Sequence, residues 1–141
     1  RGLGDVYKRQ SSSGIGYACA GGVADAVAMT VAQLDPDRKV PIKTRKADGV
    51  PGCKAMINDI LAGNRDGNFF EGMGCIGGCV GGPRAIIKKE EGKACVQAYG
   101  QKAQSRTPVE NPYVIELLKH LGFATVEEFL EKSDLFDRHF D

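Results

Sequence analysis

The chain has 141 residues, of which 42% are hydrophobic and 26% are charged, and its formal net charge is +1. This length and composition are typical of one soluble globular domain, and the balanced charge does not favour nucleic-acid binding. No apolar run is long enough for a membrane span. Five cysteines without a recognisable signal peptide indicate a reducing compartment, so we expect a cytoplasmic protein.

The first ten residues differ in character from those that follow. Residues 1–10 read R-G-L-G-D-V-Y-K-R-Q, which resembles a translated sequencing-adapter artefact and lacks the apolar region of a signal peptide. We expect residues 1–10 to be a non-native leader that makes few packed contacts, and residues 11–141 to form the domain.

A run of small residues, from Ser11 to Gly22, then leads into a helix. Apolar residues recur at helical spacing after this run, and Asp35-Pro36 ends the pattern. A glycine loop at the start of a helix is either a plain tight turn or an anion-binding site. The local sequence leaves both interpretations open.

The middle of the chain predicts a βαβ unit. Residues 40–45 can form a strand and residues 48–52 a turn. The next segment is an amphipathic helix, because its apolar residues are spaced i, i+3, i+4, i+7 and i+8. They are Cys53, Met56, Ile57, Ile60 and Leu61. Residues 68–72 form a second, buried strand, and ligands of open α/β sheets bind at strand carboxyl ends.

Helical patterns fill the rest of the chain. We expect helices over residues 85–89 and 94–103, with Gly92 weakening or breaking the first. Two capped helices follow, with start signals at Asn111-Pro112 and at Thr125 to Glu128. The predicted fold is therefore α/β: a partial twisted sheet with a βαβ unit and flanking helices, closed by the C-terminal helices.

The second strand is followed by two cysteines among glycines. Residues 71–82 read E-G-M-G-C-I-G-G-C-V-G-G. Cysteine thiolates bind soft metals and iron–sulfur clusters, and glycine lets a backbone approach a bulky group closely. The C-x3-C spacing alone also fits buried or redox-active thiols, or a zinc site.

The whole string resembles the last cluster-binding motif of the iron-only (FeFe) hydrogenase catalytic domain, E-x-M-A-C-P-G-G-C-x-x-G. It departs from that motif at Gly74 and at Ile76, where the loss of proline returns a backbone N–H. The run before the first long helix resembles the family's G-x-x-F-G-A-T-G-G-V-x-E-A segment, with Tyr17 on the aromatic and Ala18 on the following glycine. The resemblance covers about residues 14–136.

The resemblance implies an H-cluster, which is a 4Fe–4S cubane joined to a diiron subcluster with CO, cyanide and a bridging dithiolate. It also implies an oxidoreductase that interconverts H₂ with protons and electrons. Cys75 and Cys79 are the implied metal ligands, Cys79 bridges the two subclusters, and Met73 packs beside the diiron site as the second catalytic residue. Glu71 orients the loop or has a purely structural role. The residues implied to contact the cofactor are Tyr17, Ala18, Met73, Cys75, Gly77, Gly78 and Cys79.

A cubane needs four ligands, and this motif supplies two. The family's T-S-C-C-P and M-P-C-x-x-K motifs are absent, and Cys19, Cys53 and Cys95 stand in other contexts that indicate packing roles. We therefore expect a C-terminal fragment of a hydrogenase large subunit from an anaerobe, inactive alone.

The implied partners of the complete protein are ferredoxin or another electron carrier, hydrogenase maturation factors, and H₂ with protons. Three alternatives stay open. They are a non-enzymatic relative similar to iron–sulfur assembly factors, an H₂-sensing relative, and a small thiol or zinc protein that uses Cys75 and Cys79.

Overall fold

The structure, a computed structural model, describes residues 8–135 and 137–138. Over these residues it contains six α-helices and two β-strands. In chain order they are α1 (Ser12–Ile15), α2 (Gly22–Leu34), β1 (Thr44–Asp48), α3 (Gly49–Leu61), β2 (Phe69–Met73), α4 (Lys89–Gly100), α5 (Pro112–His120) and α6 (Val126–Lys132). Two short 3-10 turns are present: Gly16–Ala18 lies before α2, and Cys79–Gly81 begins at the second cysteine of the motif.

The predicted βαβ unit is confirmed, and with it the mixed α/β class. Strands β1 and β2 pair in parallel, with Thr44 opposite Phe69 and Asp48 opposite Met73. Strand β1 begins at Thr44, later than predicted, and the predicted turn over residues 48–52 is wrong. Helix α3 begins there at Gly49, because Pro51 lies in the first helical turn, where its missing N–H removes no helical hydrogen bond.

Helix α3 buries only part of its predicted apolar face. Met56 is 6% exposed, and Cys53 and Ile60 are half-buried. Ile57 and Leu61 were also expected inside, but they are 52% and 80% exposed. The helix packs mainly on β1 and β2, and two strands are too narrow to cover the whole apolar stripe.

Helix α4 corrects the expectation that Gly92 interrupts a helix. It begins at Lys89 and runs through Gly92 to Gly100. Gly92 and Gly100 are buried, and a methyl group at Gly92 would lie 3.2 Å from Cβ of Val80. The small residues therefore form the packed face of α4. Cys95, expected to be a packing residue, is exposed.

The two C-terminal helices have the predicted caps. Asn111 accepts the N–H of Tyr113 through its side chain (3.0 Å), with Pro112 in the first helical position. Thr125 Oγ1 accepts the N–H of Glu128 (3.1 Å). The Glu128 carboxylate accepts the N–H of Ala124 (2.8 Å), which lowers the Glu128 pKa, with Lys132 adding to the effect. These bonds satisfy amides that the helices leave free.

Residues 8–10 are exposed, while residues 1–7 of the expected leader lie outside the described residues. Arg9 does contact the start of α5. Its carbonyl accepts a hydrogen bond from Asn111 Nδ2 (2.8 Å), and its guanidinium lies 5.0 Å from the ring centroid of Tyr113. The leader interpretation stays a prediction.

The core of the described residues is small. Its buried apolar side chains are Cys19, Ala24, Ala26, Met56 and Leu118, and no large side chain there is fully buried. Among the same residues no helix has the length and hydropathy needed to cross a membrane.

Candidate metal centre

The cysteine loop begins where the parallel sheet ends. Strand β2 stops at Met73, and Cys75 follows two residues later. Cys75 is half-buried and Cys79 is exposed, and both are free thiols. The carboxyl end of a parallel strand is the usual location of a ligand site in such a sheet, so the fold presents both thiols at a favourable edge.

Gly77 lies midway in sequence between the two cysteines, and both its N–H and its carbonyl are hydrogen-bonded. Its N–H donates to Asp48 Oδ2 (2.6 Å), and its carbonyl accepts the N–H of Ala20 (3.0 Å). Asp48 is the last residue of β1, and Ala20 lies in the small-residue run before α2. Two separate parts of the chain therefore set the position of the loop.

Gly78 lies directly against that small-residue run. Its φ is +86°, and a methyl group there would lie 2.5 Å from the nitrogen of Ala20 and 2.7 Å from the carbonyl carbon of Cys19. Only glycine combines this φ with such close backbone contact. The two glycine-rich segments that resemble hydrogenase motifs are thus in direct contact.

Glu71 makes a second connection between the same two segments. It is 7% exposed and accepts the N–H groups of Gly21 (2.8 Å) and Ala24 (2.7 Å) with its two carboxylate oxygens. These amides are at the start of α2, where free N–H groups and the helix dipole favour an anion. Glu71 therefore joins β2, just before the cysteine loop, to the first turn of α2.

Tyr17 and Ala18 lie in the 3-10 turn beside this contact. Tyr17 is 45% exposed, and Ala18 is half-buried, with its carbonyl oxygen 2.9 Å from the methyl position at Gly78. Met73 is half-buried at the end of β2, and its carbonyl accepts the Cys53 thiol (3.4 Å).

A cavity of about 300 Å³ lies next to this contact. It is lined by parts of α1, α2 and α4, and Cys19 and Lys93 are among its lining residues, but Tyr17, Ala18, Cys75 and Cys79 are not. The resemblance implied that residues of both glycine-rich segments contact one cofactor. The segments do touch, but only the first of them lines this cavity, through Gly16, Cys19, Ala20 and Gly22, and no residue of the cysteine loop does.

The other three cysteines differ in environment. Burial raises the pKa of the Cys19 thiol; Lys93 opposes the shift and Cys79 adds to it. Cys19 is 8% exposed, consistent with a small packing residue. The Cys53 thiol donates to the carbonyls at the ends of both strands, while Cys95 is exposed on α4.

The donor set of the loop suits part of an iron–sulfur cluster. Thiolates are the usual ligands of such clusters, and the loop carries two at the open edge of the sheet. Within residues 8–135 and 137–138, no three or more His, Cys, Asp or Glu side chains form a group that could hold a metal ion. The loop therefore fits as a two-ligand contribution to a four-ligand cluster.

Comparison with known families agrees with this geometry. The family model described as iron only hydrogenase large subunit, C-terminal domain, matches residues 3–83. The chain belongs to the iron-only hydrogenase family. The match covers more than half of the chain and includes both glycine-rich segments, so the resemblance predicted from the motifs is confirmed. Membership implies iron–sulfur cofactors in general.

The match begins within residues 1–10 and ends at Pro83, whereas the motifs predicted similarity over about residues 14–136. A search of curated proteins gave no match.

Two contacts of the cysteine loop and its neighbouring strand were not predicted from the sequence. Asp48 was assigned to a turn, and the partners of Glu71 were not predicted. A signal for Asp48 was present, because the last residues of two parallel strands lie at the same sheet edge. The partners of Glu71 come from the other glycine-rich segment and have no local signature.

Proposed function

We propose that this chain is the C-terminal part of an iron-only hydrogenase catalytic subunit, in which Cys75 and Cys79 provide two thiolate ligands of the H-cluster cubane. The observation that carries the proposal is the contact between the cysteine loop and the Tyr17–Ala20 segment. Both segments match hydrogenase motifs, and Gly77, Gly78 and Glu71 hold them together.

The role of each residue is carried over from its position in the hydrogenase motif. Cys75 and Cys79 would both hold the cubane, and Cys79, the exposed thiol, would also attach the diiron subcluster with its CO, cyanide and dithiolate ligands. Met73 packs beside the diiron site with a thioether that is polarizable and a weak ligand. Tyr17 and Ala18 would line the diiron pocket.

Gly77, Gly78 and Glu71 shape the loop and take no part in proton transfer. Gly77 and Gly78 let the loop turn at positive φ, and the missing side chain of Gly78 lets the loop pack directly on the Cys19–Ala20 backbone. Glu71 fixes the first turn of α2 against the strand that carries Met73. When bound, the H-cluster supplies the reversible conversion of protons and electrons to H₂, while the protein provides ligands and excludes water.

The remaining cubane ligands come from outside these 141 residues in this proposal, because four are needed and the loop offers two. The chain alone is then inactive. The complete enzyme works in the cytoplasm with a ferredoxin or another electron carrier, and maturation factors install its diiron subcluster.

The test uses residues 1–141 together with the catalytic-domain half that carries the missing ligand motifs, produced anaerobically with hydrogenase maturation factors. H₂ evolution from a reduced viologen and the CO and cyanide infrared bands are recorded. We expect activity and bands with both halves and neither with this chain alone. Cys79→Ser should abolish the bands, and Cys75→Ser should lower the iron content.

Cys95→Ala is the matched control, since Cys95 is an exposed thiol on α4 and its loss should leave bands and iron content unchanged. Normal bands in Cys79→Ser would refute its bridging role. A cubane that assembles in wild type without CO and cyanide bands would instead favour the non-enzymatic, assembly-factor-like alternative.

A further inference from the structure

Asp48 contacts the cysteine loop, although it belongs to neither of the motifs described above. It occupies the N-cap position of α3, and aspartate there normally accepts an N–H of its own helix. Its side chain makes no such capping bond. The carboxylate is directed instead to the N–H of Gly77, at 2.6 Å.

The parallel register explains why Asp48 reaches the loop. Asp48 is opposite Met73, the last residue of β2, so both lie at the same edge of the sheet. The loop leaves β2 at that edge and passes over the end of β1. The Asp48 carboxylate thereby holds Gly77, which lies midway in sequence between Cys75 and Cys79.

The loop needs such a restraint. Gly77 and Gly78 both have positive φ, +87° and +86°, and consecutive glycines are the most flexible backbone that a chain can have. The Asp48 and Ala20 hydrogen bonds fix the Gly77 backbone from opposite sides. Without the first of them, the two thiols would sample many relative positions.

We propose that Asp48 is a positioning residue, whose carboxylate accepts the Gly77 N–H and thereby pre-organises the Cys75 and Cys79 thiols as a chelating pair. This inference rests on the proposed function, since it assumes that the two thiols act together on one soft ligand. The hydrogen-bond acceptor is the required feature and the charge is not, because a carboxylate near an anionic cluster is electrostatically unfavourable.

The test measures pairing of the thiols directly, without a loaded enzyme. The reduced full chain is titrated anaerobically with phenylarsine oxide, which binds two neighbouring thiols, and affinity is measured by calorimetry. We expect wild-type binding that disappears in Cys75→Ser. Asp48→Ala should weaken it roughly tenfold. Asp48→Asn retains an acceptor oxygen and should stay within about twofold of wild type.

Asp37→Ala is the matched control, because Asp37 is another exposed aspartate, outside the loop and its contacts, and should bind as wild type. Circular dichroism checks that each variant is folded. If Asp48→Ala does not fold, hydrogen exchange of the Gly77 amide is measured in the wild-type chain and in Asp48→Asn. Protection of that amide in both proteins supports the proposal. Exchange of that amide at the rate of an unstructured peptide overturns it.

The two proposals fail in different ways. Equal affinity in wild type and Asp48→Ala, with binding lost in Cys75→Ser, overturns only the role of Asp48. If Asp48→Asn and Asp48→Ala lower the affinity for phenylarsine oxide equally, the claim that a hydrogen-bond acceptor at residue 48 is sufficient is overturned. Binding that survives Cys75→Ser shows that Cys75 does not pair with Cys79 and overturns the role of Asp48, whereas the proposed function fails only if the CO and cyanide infrared bands are absent when both halves are present.

Discussion

The carboxylate of Glu71 accepts the backbone N–H of Ala24 at 2.7 Å, across 47 positions of sequence. Its other oxygen accepts the N–H of Gly21, so one side chain satisfies two of the free amides at the start of α2. This buried group binds the strand before the cysteine loop to the helix after the Tyr17 segment. The relative position of the two hydrogenase motifs therefore depends on Glu71.

The first prediction is that Glu71→Gln destabilises the fold. The amide keeps one acceptor oxygen, while its NH₂ group would face a backbone N–H, so at least one buried amide loses its partner. We expect the free energy of unfolding to fall by about 2 kcal/mol, measured by urea denaturation. Glu116→Gln, an exposed glutamate on α5, should change it by less than about 0.5 kcal/mol. Equal effects of the two substitutions would contradict the capping role.

The second prediction compares two glycines within the cysteine motif. Gly78→Ala places a methyl group 2.5 Å from the nitrogen of Ala20 at a φ of +86°, so the backbone must move. Gly74→Ala places one in open space. We expect Gly78→Ala to cost roughly 2–3 kcal/mol and to shift the Ala20 amide resonance. Gly74→Ala should change neither the stability nor the Ala20 resonance. Equal melting temperatures of the two variants would show that the close contact at Gly78 is unimportant.

The third prediction concerns the order of thiol alkylation. Burial raises the pKa of Cys19, so less reactive thiolate is present at a given pH, and its reaction requires higher pH than that of an exposed thiol. Between about pH 7 and 9, iodoacetamide should modify Cys95 well before Cys19. Mass spectrometry of peptides measures the extent of labelling of each cysteine with time. In denaturant the two rates should converge. Early labelling of Cys19 in the folded chain would show that it is accessible.

The fourth prediction concerns the exposed apolar face of α3. Ile57 and Leu61 are 52% and 80% exposed on this helix, and exposed apolar patches promote association. We expect the wild-type chain to self-associate in sedimentation velocity, and the double variant Ile57→Lys, Leu61→Lys to do so less while its circular dichroism spectrum is unchanged. Met56→Lys, on the buried face of the same helix, should unfold the chain. A double variant that associates as wild type would exclude this face as the cause.

Local features of the sequence were sufficient for the helix caps and the site candidates. Asn111-Pro112 and Thr125 to Glu128 form their caps from residues within a few positions of each other, so no tertiary information is needed to predict them. The cysteine motif and the Tyr17 segment were recognisable as hydrogenase-like for the same reason, and the family match confirms that recognition.

Tertiary packing decided which side of each helix is buried. Gly92 was expected to break a helix because glycine has low helix propensity. It stays within α4 because its missing side chain allows close packing on Val80. Ile57 and Leu61 matched an amphipathic period but remain exposed, since periodicity identifies an apolar face and cannot say whether a partner covers it.

The sequence by itself determined the family, the βαβ unit and the two thiols that are candidates for a cluster, because each of these depends on residues close together in the chain. Only the tertiary structure decided that Gly78 contacts Ala20, that Glu71 caps α2 and that Asp48 holds Gly77. Those contacts join distant segments through backbone amides. Every residue type except proline carries such an amide, so the sequence does not identify its partner, and for Asp48 it indicates only that the two strand ends lie at one sheet edge.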